Sequence, residues 1–98
     1  MTDKDCHIRE HFADIIGEKN LIQANDILCK QLLAEKNYFT AASIIEAMGK
    51  LGISENITFI NEWLGKNEQD ILQTKNYFVL KHIRIALAKL NPNVKMRF

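Results

Sequence analysis

The sequence predicts an all-α protein: about five helices forming a small α-solenoid, with two helical-pair repeats behind a leading helix. Three observations carry this expectation. Lys36-Asn37-Tyr38-Phe39 recurs as Lys75-Asn76-Tyr77-Phe78, 39 positions later, and laying 36–52 over 75–91 without a gap leaves eight of seventeen positions identical. A repeat of about 40 residues marks a unit that buries its apolar face by stacking on a neighbour. Helical periodicity runs through the chain, and no segment alternates apolar and polar residues for long enough to suggest a strand. Finally, 98 residues with 47% hydrophobic and 26% charged content suit one soluble domain, small enough that every helix must contribute to a single core.

The leading helix is expected over about residues 3–18, with Asp3 or Asp5 as cap and Ile8, Phe12, Ile15 and Ile16 along one side. Repeat one spans 20–52. Its first helix, about 21–35, carries Leu21, Ala24, Leu28 and Leu32 as a stripe widened by Ile27 and Leu33, with Asn20 available as cap. Its second, about 38–50, has Asn37 as cap and is apolar around most of its circumference, which predicts burial on two sides. Gly49 and Gly52 suit close helix approach and a left-handed termination. Repeat two spans 54–91. Ser54 is the expected cap of a helix over about 55–66 that ends at Gly65 and Lys66, with Trp63 and Phe59 expected in the core. Residues 67–74 are expected to form a connection, because the offset from Asn25-Asp26 to Asn61-Glu62 is 36 rather than 39. That difference implies about three inserted residues, and insertions in solenoids map to loops. The last helix, about 76–91, stops before Pro92, leaving a basic tail at 92–98.

Thr40-Ala41-Ala42-Ser43-Ile44-Ile45-Glu46 followed by Ala47-Met48-Gly49-Lys50-Leu51-Gly52 resembles the second helix of a HEAT repeat, and Ala86-Leu87-Ala88-Lys89-Leu90-Asn91 is its second copy. The resemblance covers about 75 residues and implies a small HEAT-like α-solenoid. The Val-Arg pair usual in HEAT repeats reads Thr40-Ala41 and Val79-Leu80 here, so apolar contact is expected to carry the packing. By this resemblance, the chain would bind a macromolecule along the surface made by the second helices of its repeats.

Charge is distributed unevenly. All twelve acids lie at or before Asp70, so residues 1–70 carry a net −5 and residues 71–98, with six bases and no acid, a net +6. Such polarity steers a charged partner to one end of a molecule. The expected partner-binding residues are Tyr38, Glu46, Tyr77, Lys81, His82, Arg84 and Lys89: the tyrosines because they recur at one repeat position, the others because they occupy outward positions of the two second helices.

Catalysis is not expected, since the sequence contains no Gly-rich phosphate loop and no Ser elbow, and His82 has no acid in its own segment. Nor is a cofactor expected. Cys6, His7 and His11 are the one cluster with metal-ligand types, but they lack a fourth ligand nearby. No apolar run approaches a membrane span, and the polar start Met1-Thr2-Asp3-Lys4-Asp5 lacks signal-peptide character, so a cytoplasmic protein with reduced thiols is expected.

The leading functional expectation is a small protein-binding inhibitor. The chain is similar in size and kind to bacterial immunity proteins, including those of contact-dependent growth inhibition, and its partner would be a toxin domain, a nuclease among the options. Two alternatives stand beside it: a nucleic-acid-binding module using the basic fifth helix and tail, and a general HEAT-like adaptor. A pI near 7.8 and the acidic first 70 residues weigh against nucleic acid.

Overall fold

A computed structural model of the protein describes residues 5–91. In chain order its elements are α1 (Cys6–Glu18), a 3-10 turn (Ile22–Ala24), α2 (Asn25–Ala34), α3 (Tyr38–Leu51), α4 (Asn56–Thr74) and α5 (Tyr77–Leu90), with no strand among the described residues. The expected all-α class is observed. The basic tail, with Met96 and Phe98, and the expected cap Asp3 lie outside the described residues.

α3 is the centre of the molecule because its sequence is apolar around most of its circumference, with Ser43, Glu46 and Lys50 as its polar line. Ala41, Ile44, Ile45, Ala47 and Met48 are all at most 2% exposed. α1 packs along one flank of α3 and α5 along the other, while α2 packs against α3 and α4, and α4 against α5. The result is a slab with Cα extents of 35 × 33 × 17 Å, two helices thick. Asn37 caps α3 by accepting a hydrogen bond from the Thr40 amide, and Gly52 ends the helix at φ 71°, both as the sequence suggests.

Small residues set the spacing on both flanks of α3. A methyl group placed on Gly49 would come within 3.0 Å of Ala86 Cα on α5, and one on Gly17 of α1 within 3.1 Å of Ala47 Cα. The same glycine-on-alanine seat is therefore used twice, once on each flank.

Two polar networks tie the helices together where the core is polar. Glu35, 5% exposed, accepts from Arg9 Nε at 2.8 Å and Arg9 Nη2 at 3.0 Å, and also from Gln31 Nε2 and the Asn37 amide. This fastens α1 to the α2–α3 connection. Burial alone would raise the Glu35 pKa, but the hydrogen bonds from Arg9, Asn37 and Gln31 outweigh it and hold the carboxyl below its ordinary range. At the other network, fully buried Asn56 exchanges hydrogen bonds of 2.9 and 2.8 Å with Asn25 and donates to the Met48 carbonyl, locking the start of α4 onto α2 and α3.

Several expectations are corrected. Residues 67–74 are not a connection: α4 runs through them for 19 residues and ends at Lys75 in the left-handed conformation, φ 60°. Gly65 does not stop the helix because its cost of about 1 kcal/mol is small beside the burial of Ile71, at 0% exposed, one and a half turns later. The inserted residues therefore lengthen a helix. Asn20 adopts a left-handed conformation and caps nothing, the α2 region opens with a 3-10 turn, and Glu55 rather than Ser54 sits at the α4 N-cap. Trp63 is in the core, as expected. The α1 stripe is split: Ile16 is buried, but Ile8 is 67% and Phe12 50% exposed, and Cys6, Ala13 and Gly17 are buried alongside Ile16.

Candidate functional site

Where α3 meets α5, Glu46, Lys81, His82, Ile85, Ala86 and Lys89 line an open cleft of about 220 Å³. Their placement follows from helix geometry, since 81, 82, 85 and 89 recur at the three- and four-residue spacings that put side chains on neighbouring lines of one face. Ala86 keeps the floor shallow because it is also the seat for Gly49.

Electrostatics in the cleft centre on one acid among bases. Glu46 Oε1 lies 3.5 Å from Lys50 Nζ on its own helix, and Glu46 Oε2 lies 4.0 Å from His82 Nε2 across the cleft. His82 Nδ1 is 2.8 Å from the Phe78 carbonyl. A carbonyl only accepts, so Nδ1 carries the proton and Nε2 faces the cleft as an acceptor in neutral histidine. Lys81 and Lys89 are exposed on the α5 wall. This arrangement offers two flexible ammonium groups, a titratable imidazole and an apolar Ile85, which suits recognition of an acidic or amide-bearing surface group. At the same end of the helix pair the repeat-equivalent Phe39 and Phe78 stack at 4.7 Å, and the His82 ring sits edge-on to Phe78 at 6.5 Å.

Four of the seven residues expected to bind a partner, Glu46, Lys81, His82 and Lys89, are thus brought together. The other three are elsewhere. Tyr38 packs edge-on against Trp63 at 6.0 Å, and its hydroxyl donates to Asp70 of α4. Desolvation, then the hydrogen bond to Asp70 and the Asp70 charge, push its pKa up to about 12. Tyr77, its repeat counterpart, is 54% exposed, with no helix over it among the described residues. Arg84 is exposed on the outer edge of α5, on the line of Tyr77 and Lys81. Ile85 and the Phe39–Phe78 stack were not among the expected binding residues. Their signal was available in the spacing, since Ile85 stands four residues from both Lys81 and Lys89.

The Cys6, His7 and His11 cluster is dispersed. Cys6 is buried against α3, where its carbonyl accepts from Thr40 Oγ1, while His7 and His11 are exposed. No group of three or more potential metal ligands occurs among the described residues. No helix among them is long and apolar enough to cross a membrane. No family model, curated protein or solved structure matches the chain.

Proposed function

We propose that this chain is a protein-binding module that acts by covering its partner, with the α3–α5 cleft as the contact surface. The observation that carries the proposal is the gathering of Glu46, Lys81, His82 and Lys89 around Ile85 in one open cleft. An apolar centre ringed by charges that can pair across an interface is the composition of a protein-docking patch. Alternation of the helices between two layers, with α3 flanked by α1 and α5, supports the HEAT-like α-solenoid that the sequence resembles. In that arrangement the second helices of both repeats, α3 and α5, form the face that would meet the partner.

The concrete form of this proposal is a cytoplasmic immunity protein that neutralises a toxin domain by occlusion, with no catalysis of its own. Its test is rescue: cells producing a toxin domain encoded beside this chain survive when the wild-type chain is co-expressed and die with Lys81→Glu/Lys89→Glu. Continued killing at full expression of the wild type overturns it. A second reading, nucleic-acid binding, is favoured by the exposed line Lys81, Arg84 and Lys89. Titration with a short labelled duplex separates the two, because phosphate-driven binding falls steeply with salt. Salt-sensitive binding lost in Lys81→Glu/Arg84→Glu would favour nucleic acid, whereas no binding at low salt would remove that reading.

A further inference from the structure

The α5 wall of the cleft offers its groups in a fixed order. Lys81, Ile85 and Lys89 stand on one i, i+4, i+8 ridge of the helix, which sets the backbone positions of the two lysines about 12 Å apart along the axis with Ile85 midway. Neither lysine has an ion pair among the described residues, and Ile85 is 43% exposed between them.

The opposite wall supplies a single acid. Glu46 is shared between Lys50 at 3.5 Å and His82 at 4.0 Å, so it leaves the two α5 lysines uncompensated. Three ammonium groups, those of Lys50, Lys81 and Lys89, therefore stand against one carboxylate. Residues 71–98 add no acid, and exposed Arg84 extends the positive face beyond the cleft. A field of this sign selects an anionic occupant.

Resting on the reading of this cleft as the contact surface, the geometry points to its occupant as an acidic helix of a protein partner. That helix sets two Asp or Glu side chains, eight residues apart, against Lys81 and Lys89, and the apolar side chain midway between them against Ile85. A helix is the complement because its own i, i+4, i+8 ridge has the same rise as that of α5, so the three contacts form in register. A phosphate chain would put charge over Ile85 and beside Glu46, where the partner helix puts carbon. A second copy of this chain does not carry the pattern. Among its described helices the acids eight residues apart on one helix are Glu10 with Glu18 and Glu62 with Asp70, and the residues midway are Asp14 and Lys66.

Glu46 gives the idea a distinctive readout. As the one acid lining the cleft it opposes an acidic occupant, and its exposed pair with Lys50 contributes little to the fold. Removing its charge should therefore strengthen binding.

The test is titration of the isotope-labelled full chain with three helical peptides of about 18 residues, followed through amide chemical shifts. One carries Glu-x-x-x-Leu-x-x-x-Glu in an alanine and glutamine background, the second has lysine for glutamate, and the third is a scramble of the first. The glutamate peptide should shift the amides of Glu46, Lys81, Ile85 and Lys89, and bind about tenfold more tightly than the other two. Glu46→Gln should strengthen it by about two- to threefold, and Lys81→Glu/Lys89→Glu should weaken it by about tenfold, with helicity of each variant checked by circular dichroism. Equal binding of ordered and scrambled glutamate peptides, or weakening by Glu46→Gln, overturns the inference. Preference for the lysine peptide at the same amides overturns it while keeping the cleft as the contact surface. No shift in the cleft with any peptide at millimolar concentration also overturns it, and the co-expression rescue then decides the cleft separately. A short DNA duplex that displaces the glutamate peptide from the same amides overturns it in favour of nucleic acid. A dimer seen by sedimentation and dissolved by Lys81→Glu/Lys89→Glu overturns it in favour of a second copy.

Discussion

The two ends of the helix stack are finished differently. At the α5 end, positions that α3 uses for packing carry charge: Ala42 is matched by Lys81 and Ile45 by Arg84, both exposed. At the α1 end the exposed residues are Ile8, Phe12 and Ile27. The exposed side of α5 mixes Lys81, Arg84 and Lys89 with Tyr77 and Ile85, whereas the exposed stripe of α1 at Ile8 and Phe12 is apolar. The contrast teaches that the same helical spacing of apolar residues is buried on α3 and α5 and exposed on α1, according to whether another described helix lies against it.

Equivalent positions give the sharpest break. Ile83→Ala, at 0% exposed, should lower unfolding stability by about 2–5 kcal/mol, whereas Phe12→Ala, at the same level of the stack on α1 when Gly17 is aligned with Gly49, should change it by about 0.5 kcal/mol or less. Urea melts of the two variants decide the matter, and similar losses would mean that α1 is covered in the free protein.

Arg9→Ala addresses what holds α1 in place without a covering helix. Leaving Glu35 buried without its guanidinium should cost about 3 kcal/mol. The pH dependence follows from the lowered folded pKa of Glu35: its contribution is complete above the unfolded value near 4.3 and is lost as pH falls through the folded value. Wild-type stability should therefore drop below about pH 4, and Arg9→Ala should lose most of that acid sensitivity in denaturation followed by circular dichroism.

Two glycines give the smallest effects, with opposite signs. Gly49→Ala should destabilise by about 1–2 kcal/mol, because the new methyl meets the Ala86 backbone and the gain in helix propensity is smaller than the cost of parting α3 from α5. Gly65→Ala, on α4 with nothing within 4 Å, should stabilise by about 0.5–1 kcal/mol. A thermal melt of each distinguishes seat from free surface.

Local chemistry was legible wherever one residue decides the backbone. Asn37 as cap and Gly52 as left-handed terminus follow from side-chain or backbone properties that act within a turn, and Gly49 as close contact from its lack of a side chain. The reach of α4 was not legible, because Gly65 looks like a stop and only the burial of Ile71 against distant helices offsets it. In the cleft, Lys81, His82 and Lys89 could be read from α5 alone. Tyr38 could not be placed, since its partners Trp63 and Asp70 come from α4, whose length depends on the burial of Ile71.

By itself the sequence determined that this chain is helical, that it contains a duplication and that its charge is divided between early and late segments, because propensity, period and composition are properties of residues near one another. Tertiary structure alone decided which apolar faces are covered. Ile8 and Phe12 have the same helical spacing as Val79 and Ile83, and the physical difference between them is whether another helix lies against them.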